Sequence, residues 1–98
     1  MPKGYVIARA IVTNPSAWAE YAALATEAQK TYGGTPIVRG GRAEVIEGEG
    51  RARNVVIEFD SFEKAREYAN STEYAAARKL REHAGVIDFV VVEGATSA

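Results

Sequence analysis

Gly4-Tyr5-Val6-Ile7-Ala8-Arg9-Ala10-Ile11-Val12-Thr13 decides the fold. Its β-branched and aromatic content is that of a strand. Alternate residues of a strand face opposite sides. One side carries Val6, Ala8, Ala10 and Val12, and the other Tyr5, Ile7, Arg9 and Ile11. A sheet with one wet face alternates apolar with polar. This strand is largely apolar on both sides, so it expects cover on both. The smaller set is expected to face helices.

Working outward, Asn14-Pro15 ends the strand. Asn14 suits a helix N-cap, and Pro15 suits the first helical position, where a missing N–H costs nothing. Trp18, Tyr21, Ala22, Ala25, Ala28 and Tyr32 recur at helical spacing, and Gly33-Gly34 supplies the stop. Residues 35–47 read as a second strand interrupted by Gly40-Gly41, a pair that suggests a bulge or a close backbone approach. Gly48-Glu49-Gly50 reads as a turn into a third strand over residues 53–60. Asp60 and Glu63 have capping-box spacing ahead of a second helix carrying Phe62, Ala65, Tyr68 and Ala69. Asn70-Ser71-Thr72 marks a break, and Tyr74, Ala77, Arg78 and Arg81 continue a short third helix. Residues 86–93 form the last strand, and residues 94–98 are expected to fray.

The order β, α, β, β, α(α), β over one domain, residues 1–98, predicts an α+β ferredoxin-like βαββαβ sandwich. Its four-stranded antiparallel sheet would carry all helices on one face. The other face would expose Tyr5, Ile7, Ile11 and Val56 around a few charges. Such a patch marks an interaction surface, and pairing two copies about a two-fold axis closes it most simply. A homodimer is therefore expected.

Composition narrows the function classes. Twelve basic and 13 acidic residues give a net charge of -1, which argues against nucleic-acid or polybasic membrane-surface binding. With no cysteine and one histidine, His83, neither a thiolate metal site nor multi-histidine iron is expected, and no cofactor is implied. No apolar run spans a bilayer and no signal-like segment leads the chain, so a cytoplasmic location is expected. Neither Gly33-Gly34 nor Gly40-Gly41 has phosphate-loop spacing. Arg51 and Arg53, with Glu47 and Glu49 nearby, read as a solvated mixed-charge turn.

The candidate site residues are charges on otherwise apolar strands: Arg9, Arg39 and Glu58. If they converge, two guanidiniums can grip a small carboxylate, and Glu58 is the candidate catalytic base. The simpler reading is a structural ion pair that fixes register or dimer geometry. Tyr74 and Arg78, one helical turn apart, can line the mouth of a cavity between helix and sheet; otherwise Tyr74 is core and Arg78 solvated. Trp18, Tyr21 and Tyr32 serve either as core or as an aromatic ligand wall. Two function classes follow: a protein that binds or transforms a small anionic organic molecule, and a structural or regulatory dimer without catalysis.

Several clusters resemble a known family. They are Gly4-Tyr5-Val6-Ile7-Ala8, Tyr21, Tyr32-Gly33-Gly34, Val38-Arg39-Gly40-Gly41, Val45-Ile46-Glu47-Gly48, Val56-Ile57-Glu58-Phe59, Ser71-Thr72-Glu73-Tyr74 with Arg78, and Val91-Val92-Glu93-Gly94. In order and over nearly the whole chain, they resemble domain-of-unknown-function family 1330 of the dimeric α/β-barrel superfamily. The resemblance implies a ferredoxin-like fold and a homodimer whose two sheets form a barrel. It implies no activity, since a fold does not fix a function. The family pattern often has histidine at position 9. Arg9 stands there and stays protonated, which weakens any general base on the first strand.

Overall fold

The computed structural model describes residues 2–96. Strand β1 (Gly4–Val12) leads into helix α1 (Pro15–Thr31), then β2 (Thr35–Arg39), β3 (Arg53–Phe59), α2 (Phe62–Ala69), α3 (Thr72–Leu80) and β4 (Gly85–Glu93). The strands form one antiparallel sheet in the order β2-β3-β1-β4. This is a ferredoxin-like arrangement with a sheet open on one face.

Local chemistry explains most boundaries. The Asn14 side chain accepts from the Ala17 N–H at 3.3 Å, and Pro15 opens α1. Gly33 ends it with a φ of 77°, a conformation glycine adopts without steric cost. Ser71 caps α3 by accepting from the Tyr74 N–H at 3.0 Å. The cap of α2 differs from expectation: Ser61, not Asp60, accepts from the Lys64 N–H at 3.1 Å. A serine one residue nearer the helix reaches that orphan donor directly.

The second strand is shorter than its composition suggests. It stops at Arg39 because Gly40 turns to a φ of 65°, outside the β region. Its one irregularity lies between Pro36 and Val38 rather than at the glycine pair. Residues 40–52 are an irregular connection, not a short hairpin turn, with Ile46 80% exposed and Val45 packed near Gly50. At the C-terminus, Gly94 donates to the Lys3 carbonyl at 2.7 Å, so the chain is still pinned there. Of the tail expected to fray, residues 97–98 lie outside the described residues.

The core sits between the sheet and the helices. Val6 and Ala10 of β1 and Ile57 and Phe59 of β3 meet Trp18, Tyr21 and Ala25 of α1, Ala65 and Tyr68 of α2, and Tyr74 and Ala77 of α3. The smaller set of β1 thus faces the helices, as its side chains predict. Helix α2 rests directly on the sheet, whereas α1 packs along α3 and stands off from the strands. Among the described residues, no helix is long and apolar enough to cross a membrane.

Candidate functional site

The stand-off of α1 has a cause in the sequence. Ala22 and Ala25 look down from the helix, and Ala8 and Ala10 look up from β1. Methyl groups on both walls do not fill the layer that larger side chains fill under α2. What remains is a cleft of about 210 Å³. It lies below the range of about 300–1,000 Å³ common for drug-sized ligands, so it fits a small molecule.

Its walls are aromatic and aliphatic: Trp18, Tyr21, Tyr68, Phe89, Ile57 and Ile87. Trp18 and Tyr21 meet edge to face at 5.1 Å between centroids, which fixes one side. Beyond the cleft wall, the Tyr21 and Tyr74 hydroxyls share a hydrogen bond at 2.9 Å. Burial pushes the Tyr21 phenol far above its ordinary 10.0, and Tyr74 adds to this; the Arg81 guanidinium, 5.5 Å over the ring, acts weakly the other way. Burial also raises Tyr68. The Tyr21 and Tyr68 hydroxyls are neutral hydrogen-bonding groups at physiological pH, not phenolate bases.

The charged groups of the cleft are Arg39 and Arg53. Both sit at the sheet end where β2 finishes and β3 begins. Arg39 pairs with Val55 in register and therefore shares its face, and Arg53 pairs with Ala10. Gly40 makes room for the second guanidinium, because a Cβ there would collide with Arg53 Nη1. Among the described residues, no carboxylate bridges either arginine. Two unpaired cations at the edge of an apolar cavity can hold an anion bidentately.

The sequence candidates divide between two faces. Arg39 turns to the helix side and the cleft, while Arg9 and Glu58 lie on the open side. The three do not converge, because residues of opposite strand parity face opposite ways. Nor do Arg9 and Glu58 pair with each other. Arg9 stands in register with Asn54 and Asp88, and Glu58 accepts from the Tyr5 hydroxyl at 3.1 Å, four positions along β1. That hydrogen bond raises the Tyr5 phenol. Tyr74 is buried in the core and Arg78 is exposed on α3; neither lines the cleft. Trp18 and Tyr21 are core and cleft wall at once, whereas Tyr32 lies outside and donates to Glu73 at 2.9 Å. Arg51 is not simply solvated: it reaches Asp88 at 3.3 Å and donates to the Arg9 carbonyl at 3.2 Å. His83 is exposed beyond the end of α3.

The family model described as "Domain of unknown function (DUF1330)" matches residues 3–95. The chain belongs to this family. No curated protein matches it. Among solved structures it is similar to RPA0582, a protein of unknown function from Rhodopseudomonas palustris, with a TM-score of 0.77 at 15% identity, covering 98% of this chain and 85% of that one. The methylated RPA0582 protein gives 0.74 at 15% identity, covering 97% and 82%. At that identity the likeness concerns the fold alone.

Two cleft residues of this DUF1330 domain were not singled out as site residues from its sequence. Arg53 is in phase with Val55, Ile57 and Phe59, which already places it on the helix face of its strand. Gln29 continues the stripe Trp18, Tyr21, Ala22, Ala25, and is 8% exposed. Period alone would have found both.

Proposed function

We propose that this protein binds a small organic anion in the cleft between α1 and the sheet, with Arg39 and Arg53 holding the anionic group. The observation that carries this reading is the pair of arginines at the edge of an otherwise apolar cavity, without acidic partners among the described residues. An apolar pocket with a few convergent polar groups is the usual form of a small-molecule site. Glu58 lies on the other face, so this reading assigns the cleft no carboxylate base and describes a binder.

The reading includes a homodimer closed through the open sheet face into a barrel. Ile11, Val86 and Val90 are 47%, 54% and 52% exposed there. On that face Arg9 lies toward one end, in register with Asp88, and Glu58, beside Tyr5, lies toward the other. A two-fold axis across the strands near Ile7 sets Arg9 of one copy against Glu58 of the next, while Asp88 is held by Arg51 of its own copy.

Thermal unfolding with benzoate, at constant ionic strength, tests the cleft. Benzoate is expected to raise the melting temperature and neutral benzamide to raise it less, because a ligand of the native state alone must stabilise it. The double variant Arg39→Gln, Arg53→Gln is expected to lose the benzoate shift while keeping its fold. Equal shifts from acid and amide, or none from any small monocarboxylate at millimolar concentration, contradict the reading.

A further inference from the structure

We infer that the ligand is a phenolic acid, a single aromatic ring with a carboxylate at one end and a hydrogen-bond donor at the other. This rests on the anion-binding reading above and adds the second pole of the molecule. The added observation is Gln29. Its side chain lines the cleft, yet is more than nine-tenths buried. Its amide offers two donors and an acceptor. The one side-chain hydrogen bond it makes among the described residues is long, from Nε2 to the Tyr68 hydroxyl at 3.5 Å. An amide with one long hydrogen bond has an acceptor oxygen and a second N–H to offer a ligand group.

The topology puts Gln29 and the arginines at opposite ends of the cleft. Helix α1 runs back against β1, so Trp18 lies toward the Ala10 and Arg53 end. Gln29 lies toward the start of β2, and its backbone carbonyl accepts from the Gly34 N–H at 2.8 Å. From Arg53 to Ile57 is four residues of strand, about 13 Å. The arginine side chain covers part of that span, and one ring with para substituents covers the rest. The cleft walls include Tyr21, Tyr68 and Phe89, with Trp18 at the arginine end, and these suit a flat aromatic body. The carboxylate then meets the guanidiniums, and the hydroxyl donates to the side-chain oxygen Oε1 of Gln29.

Titration calorimetry with benzoate, 3-hydroxybenzoate and 4-hydroxybenzoate separates the two readings. The wild-type protein is expected to bind 4-hydroxybenzoate at least tenfold more tightly than the other two acids. Gln29→Met keeps the length of the side chain and removes the amide; it is expected to abolish the preference, so that the variant binds 4-hydroxybenzoate and benzoate alike. Equal wild-type affinity for benzoate and 4-hydroxybenzoate overturns the phenolic-acid inference while the anion site stands. That comparison needs no variant, so it decides even if Gln29→Met fails to fold. A preference that survives Gln29→Met also overturns it. No binding of any of the three acids overturns both readings.

Discussion

Tyr21 and Tyr68 hold their hydroxyls where water hardly reaches, and burial is the main reason both phenols ionise only far above 10.0. Unfolded phenols ionise near that ordinary value, so above it the unfolded chain loses protons that the folded one keeps. The stability these groups confer is full below pH 10.0 and falls as the pH rises beyond it, by up to about 1.4 kcal/mol per unit for each. Phenolate absorbance followed together with far-ultraviolet circular dichroism is expected to show these two tyrosines ionising only as the helices melt. Their ionisation in a fully helical protein would mean that the aromatic layer is open to water. At this scale the sequence was half legible. Arg39, which lines the cleft, was readable as a candidate because it breaks an apolar strand. Arg53 was masked by the glutamates around it, although its phase with Val55 and Ile57 fixes its face. Gln29 was masked by its polarity, since a polar residue on an apolar stripe reads as a boundary rather than a floor.

Helix α1 and strand β1 make the cleft together, and neither does so alone. Their facing alanines leave a layer unfilled, while α2, with Tyr68 beneath it stacked on Phe59 at 5.3 Å, closes its own side. Ala22→Leu tests this directly, because Ala22 is half-buried on the cleft wall. Leucine there is expected to leave the urea midpoint unchanged or raised, since the space already exists, and to abolish the thermal shift with benzoate. A loss of about 1–3 kcal/mol, the usual cost of overfilling a packed core, would show that no such space exists. Element order was legible throughout, from Asn14-Pro15, Gly33-Gly34 and Ser71. The length of the second strand was not. Val45 and Ile46 have strand composition, but Gly40 has already turned the chain out of the sheet.

For the whole molecule, the open sheet face and the cleft are separate surfaces on opposite sides of one sheet. Binding and self-association should therefore respond to different substitutions. Val90→Asp alters a side chain that is 52% exposed on the open face, so the single copy loses little. Two copies would bury the new carboxylates together, at a cost of several kcal/mol. Light scattering coupled to size exclusion is expected to find a dimer for the wild type and a monomer for Val90→Asp, with benzoate binding retained. A monomeric wild type at tens of micromolar would contradict the two-fold pairing and leave the cleft untouched. The expectation of a second covered face came from strands apolar on both sides, β1 above all, and Ile11, Val86 and Val90 of the open face are exposed in the single chain.

The central claim is that the unfilled layer under α1 is a binding site for a small organic anion. A crystal structure with 4-bromobenzoate, phased on the bromine signal, tests it most directly. The ring is expected between α1 and the sheet, with its carboxylate between Arg39 and Arg53 and its bromine toward Gln29. Bromine found only outside the cleft, or the cleft empty in crystals saturated with the acid, would contradict it.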